Sequence, residues 1–278
     1  MKYICYNWFG TIANHCLDLS QEEYLKHGVS RLHNKDLKPH NVKENDIVFV
    51  KTDFIYHGGF QKLVLPHISK KFTLISGVSS LDVTKGHEIL SILSNPFLKK
   101  WYCTNAPAYL SSKIIPIPIG FEEKERAGGN QKTIDFCYKN KRHFNDKKNK
   151  ILLPYHTAST NPQRAELLDY LGSLDFVDVQ KEKLSFEKYL NLLSEYKFVI
   201  CLEGAGQDLH RFYETLLMGS IPVAADNCIT GLFKHWGIPG VFVDQWNCID
   251  KSIFEGDYSF DNVDSFLKID HYKSIIKK

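Results

Sequence analysis

Arg211 and Glu214 stand three residues apart on a stretch that otherwise reads as a buried helix, and residues at that spacing face the same way. A guanidinium is a rigid planar fork that matches phosphate oxygens. A carboxylate accepts hydrogen bonds from sugar hydroxyls. Side by side they suit a nucleoside diphosphate, with arginine on the phosphates and glutamate on the ribose. The elements that must hold them are legible on both sides. Lys197 to Leu202 (KFVICL) is an apolar run of strand length, and the loop after it contains Gly204 and Gly206. The apolar positions Leu209, Phe212, Tyr213, Leu216 and Leu217 then follow the i, i+3, i+4, i+7, i+8 stripe of a helix packed on a sheet. Gly219 stops that helix, and Ile221 to Asp226 (IPVAAD) reads as the next strand. Strand, glycine loop, helix and strand make a βαβ unit, and the amino end of its helix is a ready anion site.

The other polar residues of the segment have more than one use. Gly204 and Gly206 let backbone amides approach a phosphate closely, or simply turn the chain. Glu203 can face a sugar ring or cap a turn, and Asp208 is placed to be the helix N-cap. His210 can touch sugar or phosphate, or pack where loop meets helix. Arg164, in the segment Thr160 to Arg164 (TNPQR), is a candidate second cation for phosphate.

The string E-G-x-G-x-D-x-H-R-x-Y-E-x-L-x-x-G-x-I-P-V, Glu203 to Val223, resembles the donor-site signature of exostosin-like glycosyltransferases, glycosyltransferase family 47 and its relatives. The resemblance covers roughly Lys150 to Trp246, with weaker echoes upstream at Ile47 to Asp53, Leu74 to Asp82, Lys99 to Pro107 and Ile117 to Gly120. It implies an α/β protein of GT-B architecture, two doubly wound Rossmann-like domains facing each other across a cleft. It further implies a UDP-sugar donor, a glycan or oligosaccharide acceptor, and inversion at the anomeric carbon. Donor-binding residues would be Glu203, Gly204, Gly206, Asp208, His210, Arg211, Glu214 and Arg164. Inversion needs a base on the face opposite UDP, hence on the first domain. Asp53, at the carboxyl end of the strand Ile47 to Lys51, is the first candidate for it, followed by Asp82 and His57. The chain's size resembles short soluble virus-encoded members of the group, some of them xylosyltransferases, which implies UDP-xylose. A GDP-fucose-type transferase and a catalytically inactive nucleotide-sugar-binding module are the alternatives. No metal or other cofactor is expected, because the chain has no D-x-D sequence to hold a cation against a diphosphate, and Asp175 and Asp178 would point to opposite faces of a strand. Nucleobase contacts are expected between Pro154 and Val179, from Tyr155 or His156.

Composition narrows the field. A chain of 278 residues with 43% hydrophobic and 24% charged residues is ordinary for a globular protein. A net charge of +3 offers no electrostatic footprint for nucleic acid. The seven cysteines are odd in number and include no C-x-x-C pair, which fits reduced thiols in a cytoplasm rather than a disulfide framework. Cys5, Cys103, Cys137 and Cys201 have the apolar neighbours of small core residues. No apolar run approaches the ~20 residues of a membrane span, and the first residues lack a signal-peptide core.

Strand-like and helix-like runs alternate throughout, which predicts parallel α/β architecture. Further strands are predicted at 47–51, 72–76, 100–104, 150–154, 176–179 and 241–243. Further helices are predicted at 21–27, 60–67, 87–93, 162–171 and 186–196, with Ile114 to Gly120 extended by its prolines. The expected domains are 1–140 and 141–258, with a closing helix in 259–278; the resemblance implies that the first is the acceptor side, the second the nucleotide-sugar side, and that the helix packs back on the first. The polar stretches 122–131 and 139–150 read as the crossing between them, the second as a solvated basic linker.

Overall fold

Most strands of this chain are continuous apolar runs rather than alternations, as parallel strands covered on both faces require. In the computed structural model these runs build two five-stranded sheets in which every pairing is parallel. The structure describes residues 2–5, 7–18, 36–83, 89–106, 110–157 and 161–277. The chain divides into two compact units, one of Tyr6–Ile119 with Tyr272–Lys278, the other of Met1–Cys5 with Gly120–His271.

In the first unit the strands lie in chain order: β1 (His15–Leu17), β2 (Asp46–Lys51), β3 (Phe72–Gly77), β4 (Leu98–Cys103) and β5 (Ile114–Pro116). Val48, Val50, Phe72, Leu74 and Trp101 are core residues. Helix α1 (Phe9–Ile12) precedes β1, and α2 (Thr52–Tyr56) follows β2 without a break. The predicted helix 60–67 is instead a π-helical turn, Phe60–Val64, and a 3₁₀ turn, Leu65–His67. Pro66 has no N–H to continue a regular ladder. The predicted helix 87–93 is described from residue 89, as α3 (Ile89–Leu93), and the one at 21–27 lies outside the described residues. Just past the carboxyl ends of β3 and β4, Val78 (φ 60°) and Asn105 (φ 52°) occupy the left-handed region. That conformation is strained for a β-branched valine, and such strain gathers at functional edges.

The second unit has the order β10-β9-β8-β6-β7, with β6 (Lys148–Leu153), β7 (Val177–Val179), β8 (Tyr196–Ile200), β9 (Ile221–Ala225) and β10 (Val241–Val243). The chain runs outward from β6 to β7, then returns to the other side of β6 as β8. The loops leaving β6 and β8 therefore diverge, and the crevice at such a switch point is where open α/β sheets bind ligands. Helices α4 (Gln131–Asn140), α5 (Arg164–Gly172), α6 (Phe186–Ser194), α7 (His210–Leu217) and α8 (Cys228–Trp236) cover the sheet, and α9 (Val263–Phe266) and α10 (Ile269–Ile276) end the chain. The predicted stripe of α7 is buried at Phe212, Tyr213, Leu216 and Leu217, but so are Glu214 and Thr215. The polar side of α7 faces the interior rather than bulk water. Gly219, at φ 70°, ends it as predicted.

The stretch 139–150 is mostly exposed, as a solvated basic stretch would be, but one of its lysines is buried. Lys147 is only 5% exposed, and its Nζ donates to Ser194 O at 2.9 Å, Met218 O at 2.8 Å and Ser220 Oγ at 3.0 Å. It supplies donors to the carbonyl ends of α6 and α7 where the two helices finish. The stretch 122–131 is not a free crossing, since α4 begins at Gln131 and is capped by Asn130. The four cysteines read as core residues, Cys5, Cys103, Cys137 and Cys201, are all buried.

Candidate functional site

The glycine loop after β8 is fastened from both flanks. Arg164, 9% exposed at the start of α5, donates from Nε to Glu203 O (2.7 Å), from Nη2 to Leu202 O (2.9 Å) and from Nη1 to Thr157 O (3.0 Å). It ties the loop leaving β6 to the loop leaving β8, across the switch point. A Cβ at Gly204 would stand 3.3 Å from Arg164 Nη2, so the absence of a side chain there makes room for the guanidinium. On the other flank, Asn227 Nδ2 donates to Glu203 Oε1, and Cys228 N–H donates to Gln207 Oε1 at 3.2 Å.

Asp208 is not the cap of α7. The N-cap position is Leu209, with no side-chain cap. Asp208 is buried and accepts the Tyr213 hydroxyl at 2.7 and 2.6 Å. The donor is a hydroxyl one turn into the helix. His210 Nδ1 donates to Gly120 O at 2.7 Å, because a carbonyl can only accept.

Arg211 is held at three of its five N–H groups. Nε donates to Tyr189 Oη (3.1 Å), Nη2 to Tyr155 O (3.1 Å) and Nη1 to His156 Nε2. His156 is an acceptor there because its Nδ1 donates to Pro154 O at 2.6 Å. Burial, with the Arg211 charge beside it, pushes the imidazole down to about 2, so it stays neutral. Among the described residues no carboxylate pairs with Arg211. The direct ion pair with Glu214 that the spacing allows is replaced by a bridge, in which the Tyr189 hydroxyl accepts from Arg211 and donates to Glu214 Oε2 at 3.0 Å.

This cation and carboxylate open on a hollow of about 440 Å³, the size of a small-ligand site, with Glu122, Tyr155, Phe186 and Tyr189 among its walls. A second hollow of about 490 Å³ shares Tyr155 and Gln180 with it. Both lie beyond the carboxyl ends of β6 and β7. Of the donor-site residues read from sequence, Arg211 and Glu214 line the first hollow, while Arg164, Glu203 and Asp208 are engaged in holding its loop. Tyr155 and His156, expected at a nucleobase, are respectively a wall of both hollows and the support of Arg211. Sequence reasoning missed Tyr189 and Glu122, and no local spacing marks either.

Burial raises the Glu214 carboxyl above its ordinary value, with Glu122 adding to the effect and His210, Arg211 and the Tyr189 bond opposing it. The folded chain therefore keeps this proton to higher pH than the unfolded chain does. The resulting stability is complete below the ordinary value of 4.5 and is lost as pH rises through the folded one. Glu214→Gln removes that loss. Its melting temperature should exceed wild type at about pH 8, with the gap closing towards about pH 4. A variant less stable than wild type at both would show that the carboxylate stabilises the fold.

The candidate bases belong to the first unit. Asp53 is in the first turn of α2, with Oδ1 3.6 Å from Lys51 Nζ and Oδ2 buried without a hydrogen-bond partner. His57 is exposed at the end of the same helix, and Asp82 is half-buried beyond β3, past the strained Val78. All three follow the carboxyl ends of the adjacent strands β2 and β3. Among the described residues no group of three or more His, Cys, Asp or Glu could hold a metal ion. Among them, too, no helix is long and apolar enough to cross a membrane.

No protein-family model matches this chain, and no curated protein matches it. Among solved structures it is similar to AviGT4, described as a glycosyltransferase involved in avilamycin A biosynthesis, at 13% identity over 76% of this chain and 84% of that one. The TM-score is 0.34, a likeness too loose to carry an inference about this chain's chemistry.

Proposed function

We propose that this chain is a glycosyltransferase that takes a sugar from a UDP-sugar and passes it to a hydroxyl of a glycan acceptor. Arg211 binds the diphosphate and Glu214 a ribose hydroxyl. The observation that supports this most is the state of Arg211: half-buried, pre-oriented by three neutral acceptors, and facing a hollow with two N–H groups to spare. A cation so placed, without a carboxylate partner, calls for an anion. The amino end of α7 adds its dipole on the same side.

The rest of the reading follows the signature's resemblance. Transfer is inverting and metal-independent, with Arg211 and the helix end meeting the charge that develops on the leaving diphosphate. Asp53 removes the acceptor's proton, with Asp82 and then His57 as the next candidates. Xylose is the sugar of first choice. Thermal shifts with UDP, GDP and CMP test the donor class, and a panel of UDP-sugars assayed for transfer or hydrolysis with EDTA present tests turnover. Stabilisation by GDP alone would instead mark a GDP-fucose-type transferase. UDP binding without turnover of any UDP-sugar would mark an inactive binding module.

Tyr189 keeps Arg211 and Glu214 apart and aimed. Tyr189→Phe should weaken UDP binding about tenfold, the order of one hydrogen bond to a charged group. Its melting temperature should change little, because the ring stays in place. Calorimetric titration with UDP checks this, and unchanged affinity would show that the bridge does not position the pair.

A further inference from the structure

Glu122 is far in sequence from the signature segment, yet its carboxylate lines the same hollow as Arg211 and Glu214. Its Oε1 accepts from the exposed Arg126 at 3.0 Å. Its Oε2 lies over Gly128, where a Cβ would stand only 2.8 Å from it. Glu214, the other carboxylate of the hollow, is 8% exposed. Tyr189 occupies its Oε2, and Oε1 accepts no hydrogen bond from a described residue. Two buried or half-buried carboxylates therefore face one cavity, each with acceptor capacity unused, and Glu122 adds to the cost of charging Glu214. A ligand that offers two hydroxyl donors satisfies both at once, and a ribose has two on adjacent carbons.

We propose that Glu122 is a second hydroxyl-reading residue, and that Glu122 and Glu214 each accept from one hydroxyl of the bound nucleotide's pentose. This rests on the nucleotide reading given above and adds a selectivity to it. A site built to accept from a hydroxyl strongly rejects the analogue that lacks it, because the acceptor is left unmet. The chain should therefore prefer ribonucleotides to deoxyribonucleotides.

Calorimetry with UDP, 2′-deoxy-UDP and 3′-deoxy-UDP tests this on the full chain. Glu122→Ala should weaken UDP about tenfold while leaving one of the two deoxynucleotides bound as in wild type, the coupling expected of groups in contact. Glu214→Ala should show the same pattern with the other deoxynucleotide. Gly128→Ala, which crowds the Glu122 carboxylate without deleting it, should reproduce part of the Glu122→Ala effect. The inference is overturned if Glu122→Ala leaves UDP unchanged, or weakens all three nucleotides alike. It is overturned too if wild-type affinity requires Mg²⁺ and loses that dependence in Glu122→Ala, since the carboxylates would then hold a cation. If wild type binds no nucleotide, the donor reading falls with it. If UDP binds in an Arg211-dependent way while Glu122→Ala is silent, only the role of Glu122 is lost.

Discussion

An Arg211→Ala variant should bind UDP ~100-fold or more weakly than the wild-type chain, since truncating one side of a buried, hydrogen-bonded charge pair costs ~2–5 kcal/mol. The three protein contacts on Arg211 all come from neutral groups, Tyr189, Tyr155 and His156. They fix its direction without neutralising it, so the charge is left for the ligand. Arg211→Lys should not restore binding, because an ammonium cannot reach a hydroxyl, an imidazole and a carbonyl in one plane and still face a diphosphate. The control is uridine, which has no phosphate. Its affinity should be the same in wild type and variant, which separates lost charge from a damaged pocket. The salt dependence of UDP binding should also flatten in Arg211→Ala. Equal UDP affinity in both proteins would remove the support on which the proposed function stands.

What could be read in advance was what local chemistry decides. The β8–loop–α7–β9 unit was legible because a strand-length apolar run, a glycine loop, a helical stripe and the stop at Gly219 agree with one another. Local rules misled where a distant group competed. Asp208 has the chemistry of an N-cap, but it sits one residue before the cap position and accepts from the Tyr213 hydroxyl. The run 60–67 has a helical pattern that Pro66 breaks into two irregular turns. Arg164 could be read as a cation after a strand, but its grip on three carbonyls of two loops, one of them 39 residues away, could not. Tyr189 is 22 residues from Arg211 and 25 from Glu214. It could be placed on a helix, but its meeting with that pair is settled only by how α6 packs on α7. Glu122 was hidden for another reason, since a polar stretch beside several glycines reads as a linker until the pocket it walls is seen.

The same blindness to distance concealed Lys147, one of six Lys or Arg residues from Lys139 to Lys150. Its side chain is buried against the carbonyl ends of α6 and α7, the helices that carry Tyr189 and the Arg211–Glu214 pair. Lys147→Met preserves most of the volume but leaves Ser194 O and Met218 O without their donor, and Ser220 Oγ with one fewer partner. Each buried acceptor left unmet costs ~1–3 kcal/mol, so a loss of roughly 3–5 kcal/mol is expected, a large fraction of a typical domain's stability. The loss should also depend on pH. Burial, with the charges of Lys141 and Arg142 nearby, pushes the ammonium down from 10.5 to about 7. Between those values the unfolded chain holds the proton and the folded chain does not. The ionisation contribution is therefore complete above about 10.5 and is lost as pH falls through about 7. Denaturant midpoints at about pH 7 and pH 9 read both effects, with the gap between wild type and Lys147→Met widening at the higher pH. A variant within about 1 kcal/mol of wild type would show that water replaces the lysine at the helix ends. A gap that narrows with pH would show that the buried ammonium, not the neutral amine, is the form the fold prefers.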